Sequence, residues 1–223
     1  LASLTVVAFA VTMAVQARRI AAERDRANRE REISDRVVTF QAGTIRRVDP
    51  YEMGRGLVDD LRLRLSASLD EINASPAERS DAFVRFDELL GPINMTDAAR
   101  RVIDESVLAP SVAAIEDEFG DDPTTEARLR QASGRTYSTV GLYDAALEQF
   151  RSARDLRRAT IGNDDPATLD SEVQVAFMLF RLGRYDECEE DLVELTGRLD
   201  AALGPNDPVA IMVRVRLAVL YLS

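Results

Sequence analysis

Apolar residues recur along this chain at helical rather than strand spacing. Leu57, Leu61, Leu65, Leu69 and Ile72 follow one another at steps of four, four, four and three, which puts them on one face of a helix. Ser75-Pro76-Ala77-Glu78 is a capping box with Pro in the first turn. It opens a helix from Pro76 to Leu90 that Gly91-Pro92 closes. Thr96 is expected to cap a helix from about Asp97 towards Val107. Pro110 is expected to start or kink another through Phe119, ended by Gly120. Asp122-Pro123, Asp165-Pro166 and Asp207-Pro208 each mark a helix start, because the carboxylate accepts from free backbone N–H groups and Pro lacks the N–H that has no partner there. The pattern predicts helix pairs at 123–139 with 143–159 and at 166–181 with 185–201, then a lone helix at 208–222.

The later part is written twice. Gly141-Leu142-Tyr143-Asp144 returns 42 residues on as Gly183-Arg184-Tyr185-Asp186, and Ile161-Gly162-Asn163-Asp164-Asp165-Pro166 returns as Leu203-Gly204-Pro205-Asn206-Asp207-Pro208. A fixed period of this size marks a stacked helical array. Small residues keep the same register: Gly134, Ala176 and Ala218 on the first helices, Ala146 and Cys188 on the second. They let backbones approach, while Tyr137, Leu179, Phe150 and Leu192 fill the space around them. Tyr143 and Tyr185 are expected to cover the turn ends. The last helix is expected to expose a Val213, Leu217 and Leu220 face, with further repeats downstream.

Earlier in the chain the pattern changes. Leu1 to Val15 carries no charge and, as a helix, covers roughly 22 Å of the about 30 Å of a bilayer core. With a few further residues upstream it reads as a single transmembrane helix, residues 1–16; a signal-peptide core or a buried helix are the alternatives. Residues 17–47 form a charged juxtamembrane stretch, helical through Gln41 and free of Pro up to that point. Its sparse apolar stripe (Ile20, Ala27, Ile33, Val37, Phe40) fits a solvated helix or, less fully, a coiled coil that would make the chain a homodimer through the stalk. Residues 48–120 are a helical connector, opened by the break at Asp49-Pro50, and 121–223 are the repeats.

Composition narrows the chemistry. All 28 basic residues are Arg, and His is absent. Without His there is no Ser-His-Asp triad, and without Lys no phosphate-loop lysine. The sole cysteine, Cys188, aligns with Ala146 and reads as a packing residue rather than a reactive thiol. Asn163-Asp164-Asp165 and Asp121-Asp122 lack the ligand number of a calcium loop and read as helix caps. No catalytic, cofactor or metal residue is assigned. Residues 1–47 hold nine Arg and five acids, net +4, so the rest of a chain of net charge -11 stands at -15. An acidic body does not suit nucleic acid. The Arg run 18–36 could instead meet anionic lipid head groups, although acids are interspersed with it.

Gly134, Tyr137, Gly141, Tyr143, Ala146, Phe150 and Ala153 follow, in order, the pattern of the tetratricopeptide repeat, and the 42-residue spacing resembles the longer, kinesin-light-chain type of that family. The resemblance implies an all-α tetratricopeptide-type solenoid, here preceded by the transmembrane helix and charged helical stalk, that binds a protein or peptide partner. Its first helices would line a groove with Arg128, Gln131, Arg135 and Ser138 from one unit and Asp170, Val173, Phe177 and Phe180 from the next. Arg would serve carboxylates and Phe apolar side chains; alternatively the two Phe pack on the neighbouring helix. The order of parts resembles the C-terminal half of bacterial membrane-bound serine/threonine protein kinases, whose catalytic domain lies before the span and is not in this chain. The function implied is a membrane-tethered sensing or recruitment region of a signalling kinase; the alternative is a stand-alone membrane-anchored adaptor of an assembly or secretion complex. Arg18 and Arg19 favour a cytoplasmic repeat region by the positive-inside rule, and the kinase order implies the opposite side.

Overall fold

A computed structural model describes residues 49–222. The expected transmembrane segment 1–16 and the stalk 17–47, with the dimer considered through it, lie outside the described residues. Among the described residues the structure is all-helical, without a strand. The helices are α1 (Pro50–Glu71), α2 (Pro76–Leu90), α3 (Met95–Ile103), α4 (Ala109–Phe119), α5 (Pro123–Val140), α6 (Tyr143–Ile161), α7 (Pro166–Arg181), α8 (Tyr185–Leu203) and α9 (Pro208–Tyr221), with a π turn, Asp104–Leu108, between α3 and α4. No helix of the described residues is long and apolar enough to cross a membrane.

Asp-Pro starts set the helix beginnings. Asp165 accepts from the Ala167 amide at 2.8 Å and Asp207 from the Val209 amide at 2.8 Å. Asp49 does the same for Tyr51 at 2.9 Å. Asp49-Pro50, read from sequence only as a break, is therefore a helix start, and α1 begins at Pro50 rather than Leu57. Asp122 instead takes the Thr125 amide at 3.1 Å and its hydroxyl at 2.6 Å.

Two expectations in the connector are corrected. α3 is capped not by Thr96 but by Asn94, whose side-chain oxygen accepts from the Asp97 amide at 3.1 Å. It also runs on into α4 through the π turn, where the Ala109 N–H reaches back five residues to the Asp104 carbonyl. The cause is Pro110, which has no N–H and whose ring would collide with the carbonyl four residues earlier in a regular α-helix. A wider turn relieves that collision without ending the helix.

The paired helices α5/α6 and α7/α8 meet through small residues, and α6 stacks on α7 as α8 does on α9. A Cβ on Gly134 would lie 2.8 Å from the Phe150 ring, which is fully buried. In the next pair Cys188 packs on α7 and donates its thiol hydrogen to the Ala176 carbonyl at 3.2 Å. Gly141 turns the chain at a φ of 83° and Gly183 at 73°, values that glycine adopts without strain. The core so closed includes Leu169, Leu179, Leu192, Leu195 and Leu199, each at most 1% exposed. Burying each such side chain stabilises by about 1.5–3 kcal/mol.

An ion pair closes each seam between one unit and the next, at the 42-residue period. Glu116 pairs with Arg130 at 3.4 Å, Arg158 with Glu172 at 2.8 Å, and Asp200 with Arg214. The polarity alternates: acid to base, base to acid, acid to base. The first pair extends the register back into α4, so the end of the connector packs on α5 as a second helix of a unit would. Tyr137 strengthens that joint, donating its hydroxyl to Asp104 at 3.0 Å, as does Arg100, donating to the Val140 carbonyl at 3.1 Å.

α9 faces the other way round from expectation. Val213 is fully buried against α8, and Leu217 and Leu220 are half-buried on the core. Pro208, Ile211, Met212, Val215, Ala218, Val219 and Tyr221 are the exposed residues of α9. Apolar residues run all round α9, so periodicity alone could not say which side packs.

Candidate protein-interaction groove

The first helices α5, α7 and α9 lie side by side, and their shared face carries two distinct clusters. The first contains most of the residues expected to hold a partner. Asp170 accepts from the Gln131 amide at 2.8 Å and from Arg135 at 2.8 Å. Ser171 donates to the Gln131 side-chain oxygen at 3.0 Å and accepts from Arg157 at 2.6 Å. Arg157 also donates to the Ala167 carbonyl at 2.8 Å. Burial, opposed by Asp170 and reinforced by Arg135 and Arg128, holds the Arg157 guanidinium below its ordinary pKa.

This network uses up its own donors and acceptors. Gln131 is only 4% exposed, so it is a strut between α5 and α7 rather than a groove surface. Val173 is 1% exposed and belongs to the core. Arg135 and Asp170 stay open to solvent with 60% and 40% of their side chains exposed, an ion pair of a kind worth about 0–1 kcal/mol. Arg128 is half-buried beside them.

The second cluster is an open depression of about 260 Å³ lined by Ser138 of α5, Tyr143 of α6, Gln174, Phe177, Met178, Phe180 and Arg181 of α7, and Arg216 of α9. The Arg216 guanidinium lies over both Phe rings, 4.5 Å from the centre of Phe180 and 5.0 Å from that of Phe177. Arg181 lies 4.6 Å over the Tyr143 ring and donates to its hydroxyl. Phe180 meets Tyr185 at 5.6 Å. Phe177 and Phe180 are thus half-buried, with one side on the core and one side in the depression.

Gln174, Arg181 and Arg216 were missed from the sequence. A usable signal existed, since Ala132, Gln174 and Arg216 stand 42 residues apart in one register. Marking that register, instead of counting threes and fours from Asp170, would have put Gln174 in place of Val173.

The residues assigned to the repeat itself have these places. Gly134, Tyr137, Ala146, Ala176 and Cys188 are buried; Tyr143 is half-buried; Tyr185 is 50% exposed and Ala218 lies on the exposed side of α9. Burial, then the hydrogen bond to Asp104, pushes the Tyr137 phenol well up. Burial, with a smaller push from Asp191, raises the Cys188 thiol to about 11. The acids of the 162–165 linker are occupied too: Asp165 caps α7, and Arg198 donates to Asp164 at 3.1 Å and to the Asn163 carbonyl at 2.5 Å.

No family model matches the chain, and no curated protein matches it. Among solved structures it is similar to the crystal structure of BtubC (BKLC) from P. vanneervenii, at 17% sequence identity and a TM-score of 0.43, over 83% of this chain and 66% of that one. The chain therefore spans just under two thirds of that structure's length. The repeat architecture rests on the chain's own helix pairs and their 42-residue register.

Proposed function

We propose that this chain is a non-catalytic protein-interaction scaffold of the tetratricopeptide type, and that a segment of a partner protein docks on the face made by α5, α7 and α9. One observation carries the reading: three successive first helices contribute side chains to a single open depression. Aromatic and Arg side chains, the types that anchor protein interfaces, line it. The first cluster ties α5 to α7 through Gln131, Arg135 and Asp170.

We also propose that the scaffold is tethered through residues 1–16 and serves as the sensing or recruitment region of a larger signalling kinase. The uncharged run, its Arg-rich flank and the order of parts support this. A kinase domain encoded upstream of Leu1 is the expected finding; a start codon directly upstream would leave the adaptor as the reading instead.

The docking face is tested by placing a photo-crosslinking residue at Gln174 of the full chain, and at Glu190, an exposed residue of α8, as control. A discrete crosslinked partner is expected at position 174 and lost on Phe177→Ala. Equal capture at 190 would overturn the assignment.

A further inference from the structure

We propose that α2 is a detachable strap: it lifts from α1 as an intact helix, on the connecting segments 72–75 and 91–94, while α1, α3 and the repeats stay folded. None of its 15 residues is buried, whereas α7, of 16 residues, buries nine. Phe83, Phe86 and Leu90, spaced to share one side of the helix, are only half-buried. What holds α2 to its neighbour is charge at the surface. Arg62 of α1 pairs with Asp87, and its guanidinium carbon lies 5.8 Å from the centre of the Phe86 ring. Arg79 reaches back to Asp70 and donates to the Ala74 carbonyl at 3.1 Å. Exposed ion pairs of this kind are weak and are screened by salt.

The helix keeps its shape by contacts that travel with it. Ser75 and Glu78 close a capping box, in which the Ser75 amide donates to Glu78 at 2.8 Å. Arg85 pairs with Asp81, one turn earlier, at 2.7 Å. Its neighbours, for their part, meet without it. α1 packs directly on α3, where a Cβ on Gly54 would lie 2.6 Å from the Met95 carbonyl oxygen. The chain therefore leaves α1, passes through α2 and returns beside α1 as α3. Asn73 turns it out of α1 at a φ of 51°, a left-handed conformation that Asn tolerates better than most residues. Gly91 ends α2 before Pro92. Local opening draws on elements with few buried contacts and solvent-exposed ties, and α2 is such an element. Its position decides whether Phe83, Phe86 and Leu90 are packed or free.

The test is native-state hydrogen exchange on the full chain, read by mass spectrometry. Amides of α2 are expected to exchange roughly a hundredfold faster than those of α7. Raising NaCl from about 50 to about 500 mM should speed exchange in α2 about threefold and leave α7 unchanged. Asp70→Asn with Asp87→Asn should have the same effect at low salt. In that variant hydroxyl-radical oxidation of Phe83 and Phe86 should rise with no loss of helical signal in circular dichroism. Should the double variant unfold, the salt series on the native chain decides alone. Amides of α2 protected as well as those of α7 overturn the strap. Exchange of α1 and α3 rising in step with α2 also overturns it, because the connector would then open as one unit. Fast exchange of α2 that salt does not change overturns the hold by charge, and a fall in helical signal overturns lifting as an intact helix.

Discussion

Gly134 of α5 packs directly on the Phe150 ring of α6, and the added methyl of Gly134→Ala would press on that fully buried ring. Alanine favours a helix by about 1 kcal/mol over glycine, yet overpacking of a tight core costs about 1–3 kcal/mol. A net loss of about 1 kcal/mol is expected from urea unfolding, whereas a surface glycine-to-alanine change in a helix would gain. Cys188 makes a complementary prediction. Its folded pKa of about 11 lies above the roughly 8.5 of a free thiol. A raised pKa stabilises below the unfolded value and is lost as pH climbs through the folded one, so this contribution to stability falls between about 8.5 and 11. At pH 8 the native thiol is expected to ignore a disulfide reagent and to react only on unfolding; fast reaction in the native state would contradict its burial. Sequence spacing made both residues legible as packing positions, because their smallness recurs in register.

At the scale of the helices, the seams are the places to press. Glu172 is nearly buried and accepts from both Arg158 at 2.8 Å and Arg198 at 2.7 Å. Removing it in Glu172→Ala leaves Arg158 without its acid and Arg198 with only the exposed Asp164 and Glu194, a change of the kind that costs about 1–3 kcal/mol. Asp200, at the next seam in the same register, is one-third exposed, and Asp200→Ala should cost under about 1 kcal/mol. Equal shifts in the two urea midpoints would refute that ranking. The elements differ in how readable they were. α5 to α9 are announced by Asp-Pro and Gly, each with a local mechanism. The π turn before Pro110 was not, because a wide turn has no residue of its own and appears only when the helix has tertiary reasons to continue. In α3–α4 those reasons are Leu108 and Ile115, which are buried where the chain packs on α5.

Across the whole described array, the period fixed which helices pair but not which side chains face a partner. Both questions use the same apolar residues. Gln131 looked available because it is polar on a first helix, yet two helices close over it. Phe177 looked ambiguous and has one side in the core and one in the depression. Whether such residues bind depends on the stagger of α5, α7 and α9, a tertiary quantity that spacing along one helix does not contain. The aromatic surface of the proposed docking face is therefore concentrated at Tyr143, Phe177 and Phe180. Hydroxyl-radical footprinting reads these oxidisable side chains directly, with Tyr51, 58% exposed on α1, as internal reference. On binding a captured partner, oxidation of Tyr143, Phe177 and Phe180 is predicted to fall together while Tyr51 stays unchanged. Protection of Tyr51 and the α2 residues Phe83 and Phe86, with the α5–α7–α9 face still oxidised as in the free chain, would contradict the account.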